Sequence, residues 1–333
     1  MASQEDAQPR AKPIDEAQFI QIHGLDQWVT IRGKDLNNPA LFILGGPGAA
    51  LSRMAPFFAP WEQDFTLIQW DQPGAGATQG KNGDAGTGPL TLDRIARDGL
   101  EVADAVTRRL QTSTLVLLGI SGGTIVALKM LKQRPDLFSA YVGTGQFVHW
   151  ARQDSLSYAM VLEQARERAD RAAIEELERL GPPPYPDTAA DAVKSKYAGA
   201  LTPAEQAVFA ALGPAVLAAL KSPPAGERYF ARDIPPQDPR AQATAAYDEL
   251  RPELMTFDAR ALGLDFGVPM FFFQGERDAY SVTSEVQAYA IEIRAPQKIF
   301  VPIEGGGHSS FYLRDYFLHL LNVHVRPVAR PAG

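Results

Sequence analysis

The stretch from Thr114 to Asp136, TLVLLGISGGTIVALKMLKQRPD, predicts a strand, a sharp turn and a helix, in that order. Leu115 to Leu118 form a short apolar run, which is typical of a strand buried on both faces of a sheet. After the turn the sequence continues in a helix-compatible segment that contains Ile125, Val126, Leu128 and Met130, and Pro135 lies just past its end. Ser121 stands at the turn between the two elements. This unit predicts a parallel sheet with packed helices, and it identifies the Ser121 hydroxyl as a candidate functional group.

Ser121 lies within a G-x-S-x-G pattern that runs from Gly119 to Gly123. Such a turn presents a serine hydroxyl at the end of a central strand, and its glycines let the strand and the helix approach each other closely. A serine hydroxyl is a weak nucleophile until a neighbouring base removes its proton. We therefore expect Ser121 to be a nucleophile, with its base, acid and oxyanion donors following other strands of the sheet.

Strands and helices alternate along most of the chain, which predicts an α/β fold class with a mostly parallel, doubly wound sheet. Residues 150–262 interrupt this alternation with helical patterns and proline-rich breaks, and they are too long and too regular for a loop. We interpret them as a helical cap inserted between strands 6 and 7. The other predicted parts are a flexible N-terminal arm over residues 1–16 and a core over residues 17–149 and 263–330.

Apolar patterning also places the individual elements. The expected strands are Gln18–Ile22, Trp28–Ile31, Leu41–Leu44, Phe65–Trp70, Leu115–Leu118, Ser139–Gly145, Val268–Gln274 and Lys298–Ile303. We expect the first two to form an antiparallel hairpin at a sheet edge. The glycine-rich segment from Lys81 to Pro89 predicts a polar loop. Apolar residues at intervals of three and four predict one long helix that ends at Leu180.

Two further side chains follow predicted strands, at the edge where active sites of open parallel sheets lie. His308 comes after the last strand and three glycines, and it is our candidate for the general base. Asp278 comes after the preceding strand and is our candidate for the acid that orients the histidine, in the chain order Ser, Asp, His. Glu276 and Asp265 are alternatives for the acid, and a helix N-cap is an alternative role for Asp278.

The oxyanion of an acyl-transfer intermediate requires two backbone amides. Gly122, which follows the nucleophile, is expected to supply one, and Gly46 in the loop after the third strand is expected to supply the other. We interpret Asp71, which also follows a strand, as a structural acid that braces these loops. The four remaining histidines are expected to have surface or packing roles: His23, His149, His319 and His324.

Composition excludes several classes of function. The formal net charge of −7 and the lack of basic clusters argue against a nucleic-acid partner, and the absence of cysteine excludes disulfides and thiolate chemistry. No metal-ligand spacing and no suitably placed dinucleotide motif occurs, so we expect neither a metal nor a cofactor. No run approaches the ~20 apolar residues of a membrane span, and the first residues carry no secretory pattern. We therefore expect no membrane partner and a cytoplasmic location.

Together these residues resemble the α/β-hydrolase superfamily over nearly the whole chain. Within it, LGGPG at Leu44 to Gly48 and DQPGAGAT at Asp71 to Thr78 are similar to the HGGPG and DQRGxGxS-type segments of the proline iminopeptidase family. The resemblance implies an α/β-hydrolase fold with a helical cap. It also implies a catalytic triad and an oxyanion hole formed by the five residues proposed above.

Some positions depart from that family's pattern. Leu44 replaces its histidine, Pro73 replaces its arginine, and Gly122 stands where tryptophan usually follows the serine. Aminopeptidases of this kind also need cap carboxylates that hold the free amine of the substrate. Glu163 and Glu175 are candidates for this role, although both also suit a solvated helix face.

The leading hypothesis from the sequence is a cofactor-free serine hydrolase that cleaves a small ester, an amide or an N-terminal peptide bond through an acyl-enzyme. A proline iminopeptidase-type aminopeptidase, a C–C bond hydrolase and a ligand-binding protein without turnover remain alternatives, because a fold does not determine a function. The expected partner is a small molecule or a short peptide. Neither the substrate nor the oligomeric state follows from the sequence.

Overall fold

A β-hairpin forms one edge of the sheet. The computed structural model describes residues 12–221, residue 234 and residues 238–329. In it, β1 (Ile14–Ile22) pairs antiparallel with β2 (Leu25–Gly33) around the turn at His23 and Gly24. Because β1 begins at Ile14, which is buried and pairs with Gly33, the expected arm over residues 1–16 is too long. Residues 1–11 of that arm lie outside the described residues.

The remaining strands complete an eight-stranded sheet in the order β1-β2-β4-β3-β5-β6-β7-β8. They are β3 (Ala40–Leu44), β4 (Thr66–Trp70), β5 (Leu115–Ile120), β6 (Phe138–Thr144), β7 (Met270–Gly275) and β8 (Lys298–Ile303). Strand β2 pairs antiparallel with β1 and β4, and all other neighbours pair in parallel. This arrangement confirms the α/β class and the mostly parallel sheet.

Helices connect the strands. Those outside residues 150–262 are α1 (Ala55–Phe58), α2 (Gly76–Thr87), α3 (Leu92–Leu110), α4 (Gly123–Gln133), α10 (Thr283–Glu292) and α11 (Arg314–Leu320). Those within 150–262, which we call the helical insert, are α5 (Trp150–Glu167), α6 (Arg171–Leu180), α7 (Thr188–Ala198), α8 (Pro203–Lys221) and α9 (Pro239–Met255). The insert leaves the sheet after β6 and returns before β7. The proline breaks at residues 223–224 and 235–236 lie outside the described residues.

Two expectations about local structure were wrong. The segment from Lys81 to Pro89 is not a plain loop, because α2 extends to Thr87 with a kink at Gly83, where φ is +65°. The apolar stripe that ends at Leu180 belongs to two helices rather than one. The chain turns at Ala169, where φ is +52°, and Asp170 then caps α6 by accepting a hydrogen bond from the Ala173 amide at 3.1 Å.

The sheet is buried on both faces. Alternate residues of a strand point to opposite sides, so Phe42 and Leu117 pack into one hydrophobic cluster while Leu41 and Val116 pack into another. Helix α4 belongs to the first of these clusters and continues directly from the end of β5. The parallel pairing from β5 to β8 brings the carboxyl ends of β5, β7 and β8 to the same edge of the sheet, and the candidate site lies there.

Candidate active site

The turn between β5 and α4 holds Ser121 in a strained backbone conformation. Its φ is +55°, a left-handed value that a residue with a side chain rarely adopts. The Ser121 amide donates to the Thr144 carbonyl at the end of β6, at 2.9 Å, and this bond anchors the turn to the neighbouring strand. A Cβ on Gly123 would overlap the Leu44 carbonyl oxygen, and one on Gly119 would lie 2.9 Å from the Cα of Thr124. The glycines are therefore required by sterics.

The structure brings His308 to Ser121 from a position 187 residues further along the chain. Ser121 Oγ and His308 Nε2 are 2.8 Å apart, within hydrogen-bond reach. The imidazole lies near two aromatic rings, with the Tyr280 centroid at 4.8 Å and the Phe147 centroid at 6.3 Å. A Cβ on Gly145 would lie 3.0 Å from His308 Cε1, so the turn after β6 leaves space for the ring.

Asp278 completes the line of side chains. Its Oδ2 lies 3.1 Å from His308 Nδ1, and its side chain is fully buried. Burial would raise the pKa of Asp278, but the charge interaction with His308 and hydrogen bonds from His308 and Ser281 outweigh burial and hold the pKa below its ordinary value. The carboxylate is therefore ionised at neutral pH and can stabilise a positively charged imidazole.

Residues that the sequence analysis did not single out hold Asp278 in place. Gln274 Nε2 donates to Oδ2 at 2.7 Å, and Ser281 Oγ donates to the same oxygen at 2.6 Å. The amides of Tyr280 and Ser281 donate to Oδ1 at 2.8 Å and 2.9 Å. The last two bonds form the kind of turn in which an aspartate side chain accepts from backbone amides two and three residues later. The spacing from Asp278 to Ser281 was therefore the sequence signal that could have identified Ser281 as a partner of Asp278.

The alternative residues lie elsewhere. Glu276 is exposed, and Asp265 is an exposed partner of Arg294. Glu163 and Glu175, the candidates for holding a substrate amine, are exposed.

The other histidines also lie apart from Ser121. His23 pairs with Asp98 at 2.9 Å, and His149 caps α5. His319 stacks near Tyr316, and His324 lies beside Phe273.

Gly46 and Gly122 face each other next to Ser121. A Cβ on Gly122 would lie 3.2 Å from the Cα of Gly46, which is a tight contact, so the two backbones approach each other closely. Gln72 fixes the Gly46 loop by donating from Nε2 to the Gly45 carbonyl at 2.9 Å. In the ranges that the structure describes, neither the Gly46 amide nor the Gly122 amide donates to a protein acceptor. Two amides without a protein acceptor in the described ranges therefore lie in the turn that carries Ser121 and in the loop that contacts this turn.

Comparison with known proteins gives the family context. A family model described as "Serine aminopeptidase, S33" matches residues 38–179, which include β3 to β6 and Ser121. "Probable aminopeptidase YbaC" of Bacillus subtilis (strain 168) is 27% identical over 322 residues, covering 96% of this chain and 98% of the relative. Both matches extend over the turn that carries Ser121.

Solved structures share the fold. The proline iminopeptidase-related protein TTHA1809 from Thermus thermophilus superposes with a TM-score of 0.62 at 18% identity, covering 95% of this chain and 99% of that one. The chain has the α/β-hydrolase fold. A thermophilic esterase from Thermogutta terrifontis also matches this chain, with a TM-score of 0.56 at 17% identity, covering 96% of this chain and 100% of that one. At these identities the solved structures show the fold alone.

Two further observations concern the described residues. No group of three or more His, Asp or Glu side chains among them is arranged to hold a metal ion. None of their helices is individually long and apolar enough to cross a membrane. Thr188–Ala198 and Pro203–Ala219 meet those length and composition limits only when counted together, and they meet at an angle of 92°.

Proposed function

We propose that the protein is a serine hydrolase that cleaves a small ester, amide or N-terminal peptide bond by nucleophilic catalysis, with Ser121 as nucleophile, His308 as general base and Asp278 as its orienting acid. The observation that carries this proposal is the continuous line of contacts from Ser121 Oγ to His308 Nε2, at 2.8 Å, and from His308 Nδ1 to Asp278 Oδ2, at 3.1 Å. Side chains so distant in sequence form such a line because three separate strand ends meet at one edge of the sheet.

The proposed reaction has two steps. Ser121 Oγ attacks the carbonyl carbon while His308 Nε2 takes the hydroxyl proton, and the amides of Gly46 and Gly122 bind the oxyanion. The intermediate collapses, the bond to the leaving alcohol or amine breaks, and His308 returns the proton to that group. Water then attacks the acyl-enzyme with His308 again as base, which releases the carboxylic acid and restores Ser121. The helical insert is our proposed cap over this site.

Covalent labelling tests the nucleophile. A fluorophosphonate should label the wild-type protein at Ser121, and Ser121→Ala should abolish both labelling and hydrolysis of p-nitrophenyl esters. Ser155→Ala is the matched control, because Ser155 is exposed and its hydroxyl, among the described residues, donates to the Ala151 carbonyl within α5. Labelling of another residue, or binding across a broad ester and amide panel without turnover, would contradict the proposal.

An aminopeptidase is the second candidate, favoured by the names of the matching family model and of the relative. It requires a carboxylate near the scissile bond that holds a free amine. Asp154 and Asp191 are buried acids of the insert, but Lys194 already contacts both. Parallel assays of aminoacyl anilides and their N-acetylated forms separate the candidates. Loss of turnover on N-acetylation indicates an aminopeptidase, and equal turnover indicates an esterase or amidase.

A further inference from the structure

Glu205 is a fully buried carboxylate near the start of α8, in the helical insert. The described part of the chain places no lysine, arginine or histidine in a salt bridge with it. A buried charge without a partner ion is costly unless hydrogen bonds replace the lost water. The partners of its two oxygens therefore show what this side chain does.

One oxygen has a local partner. Glu205 Oε2 accepts from the Thr202 amide at 2.8 Å, and Thr202 Oγ1 accepts from the Glu205 amide at 3.3 Å. This reciprocal pair is a capping box, and it places the carboxylate at the helix end where the macrodipole favours negative charge. The capping box accounts for Oε2 but leaves Oε1 available.

The other oxygen reaches the loop that carries His308. Glu205 Oε1 accepts from the Gly307 amide at 2.8 Å, across 102 residues of sequence. The contact is tight, because a Cβ on Gly307 would lie 2.9 Å from Thr202 Cγ2 and 3.1 Å from Glu205 Oε2. The first turn of α8 therefore rests directly on the residue before His308.

The opposite side of the same loop is attached to the Asp278 loop. The Gly306 carbonyl accepts from the Arg277 amide at 2.8 Å. The backbone that leads into His308 is thus held on one side by the loop that carries Asp278 and on the other by the helical insert. Of these two attachments, only Glu205 uses a side chain, so it can be removed without altering the triad residues.

We propose that Glu205 is a positioning residue that holds the Gly307 backbone and thereby keeps His308 Nε2 within reach of Ser121. This inference rests on the proposed function, because His308 needs accurate placement only if it acts as the base. Displacing a catalytic group by about 1 Å can cost about 100-fold in rate. The bond also couples the position of the helical insert to the alignment of the base.

The test compares Glu205→Ala with Asp187→Ala, which removes another helix-end carboxylate of the insert. Asp187 caps α7 through the Ala190 amide at 2.8 Å, is exposed, and has no contact with the His308 loop among the described residues. We expect Glu205→Ala to lower kcat for a p-nitrophenyl ester and the rate of fluorophosphonate labelling by about 10- to 100-fold, with KM within about twofold. Asp187→Ala should lose some thermal stability through its missing cap but keep wild-type rates.

Glu205→Gln keeps the shape and one acceptor oxygen, so it should restore part of the rate lost in Glu205→Ala. Hydrogen–deuterium exchange of residues 304–308 supplies a readout without turnover and should accelerate in Glu205→Ala but not in Asp187→Ala. If Glu205→Ala does not fold, Glu205→Asp, which shortens the side chain by one methylene and so withdraws the oxygen from the Gly307 amide, carries the same comparison. Wild-type kcat and unchanged exchange in the folded Glu205 variant would overturn the inference, as would equal rate losses in Glu205→Ala and Asp187→Ala.

Failure of the proposed function gives a different result. In that case the wild-type protein itself is not labelled at Ser121, whatever residue occupies position 205. Faster exchange of residues 304–308 in Glu205→Ala would then still support the attachment of the loop to α8. Unchanged exchange would refute it.

Discussion

At the scale of single residues, Asp71 is a buried acid near the candidate active site whose hydrogen bonds give it a structural role. Its Oδ2 accepts from the Ala77 amide at 2.9 Å and its Oδ1 accepts from the Ser52 amide at 3.3 Å. The side chain therefore connects α2 to the segment that follows the Gly46 loop, in agreement with its interpretation from sequence as a bracing acid. Burial raises the pKa of Asp71 to about 6, although these hydrogen bonds oppose the shift.

This raised pKa predicts a pH dependence of stability. The folded protein binds the Asp71 proton more tightly than the unfolded chain, whose pKa is near 3.8, so stability falls as pH rises between about pH 4 and about pH 6. The contribution from this group is on the order of 3 kcal/mol. Because Asp71→Asn does not titrate, the difference in free energy of unfolding between wild type and variant should change by that amount from about pH 4 to about pH 7. Urea denaturation of both proteins at both pH values measures this difference. The same difference at both pH values would refute the prediction.

At the scale of elements, the turn from β5 into α4 depends on the absence of side chains around Ser121. Gly123 sits against the backbone of β3, where a Cβ would lie 2.7 Å from the Gly45 carbonyl oxygen and closer still to that of Leu44. These atoms belong to a central strand and the loop that leaves it, and they cannot move without disturbing the sheet. The turn, the strand and the Gly46 loop therefore fit together only with glycine at position 123.

Replacing Gly123 should consequently disrupt the sheet as well as the site. We expect Gly123→Ala to lower the free energy of unfolding by about 3 kcal/mol or more, because the added methyl overlaps backbone atoms that cannot relax. Gly267→Ala is the matched control, since a Cβ there would meet only Pro135 Cβ at an ordinary 3.8 Å. Chemical denaturation measures both variants. Similar stabilities for the two would show that the close approach is not required.

The boundaries of some elements could not be predicted from local sequence patterns. Lys81 to Pro89 contains glycines that disfavour a helix, yet α2 continues through it to Thr87. Tertiary hydrogen bonds support this helix: the Trp28 amide donates to Thr78 Oγ1 at 2.9 Å, and Asn82 Nδ2 donates to the Asp26 carbonyl at 2.8 Å. Both hydrogen-bond partners of α2 belong to the β-hairpin, which is distant in sequence. A local sequence pattern therefore cannot reveal these bonds.

At the scale of the whole molecule, a buried charged cluster joins the helical insert to the core. Lys194 on α7 contacts Asp154 on α5 and Asp191, and its Nζ lies 5.2 Å from the ring centroid of Tyr280, beside the candidate site. Burial would lower the pKa of Lys194, but the interactions with Tyr280, Asp191 and Asp154 outweigh it and raise the pKa. The lysine is therefore charged and neutralises acids that are largely shielded from water.

Removing the Lys194 charge should destabilise the protein, because its acidic partners would remain buried. We expect Lys194→Met to lower the free energy of unfolding by about 3–5 kcal/mol, because Asp154 and Asp191 stay buried without a counter-charge. Lys196→Met is the control, since Lys196 is exposed and pairs with Glu176 at the surface; it should melt at the wild-type temperature. Equal melting temperatures for the two variants would contradict this account of the cluster.

The sequence alone determined the α/β class, the mostly parallel sheet and the existence of a helical insert, because these depend on apolar periodicity and on glycine and proline positions within short segments. It also selected Ser121, Asp278 and His308, since each follows a predicted strand. Only the tertiary structure decided how these groups are held: Gln274 and Ser281 on Asp278, Gly145 beside His308, and Glu205 on Gly307. The last two contacts join segments far apart in sequence, and such contacts exist only once the sheet has formed and the insert has packed against it.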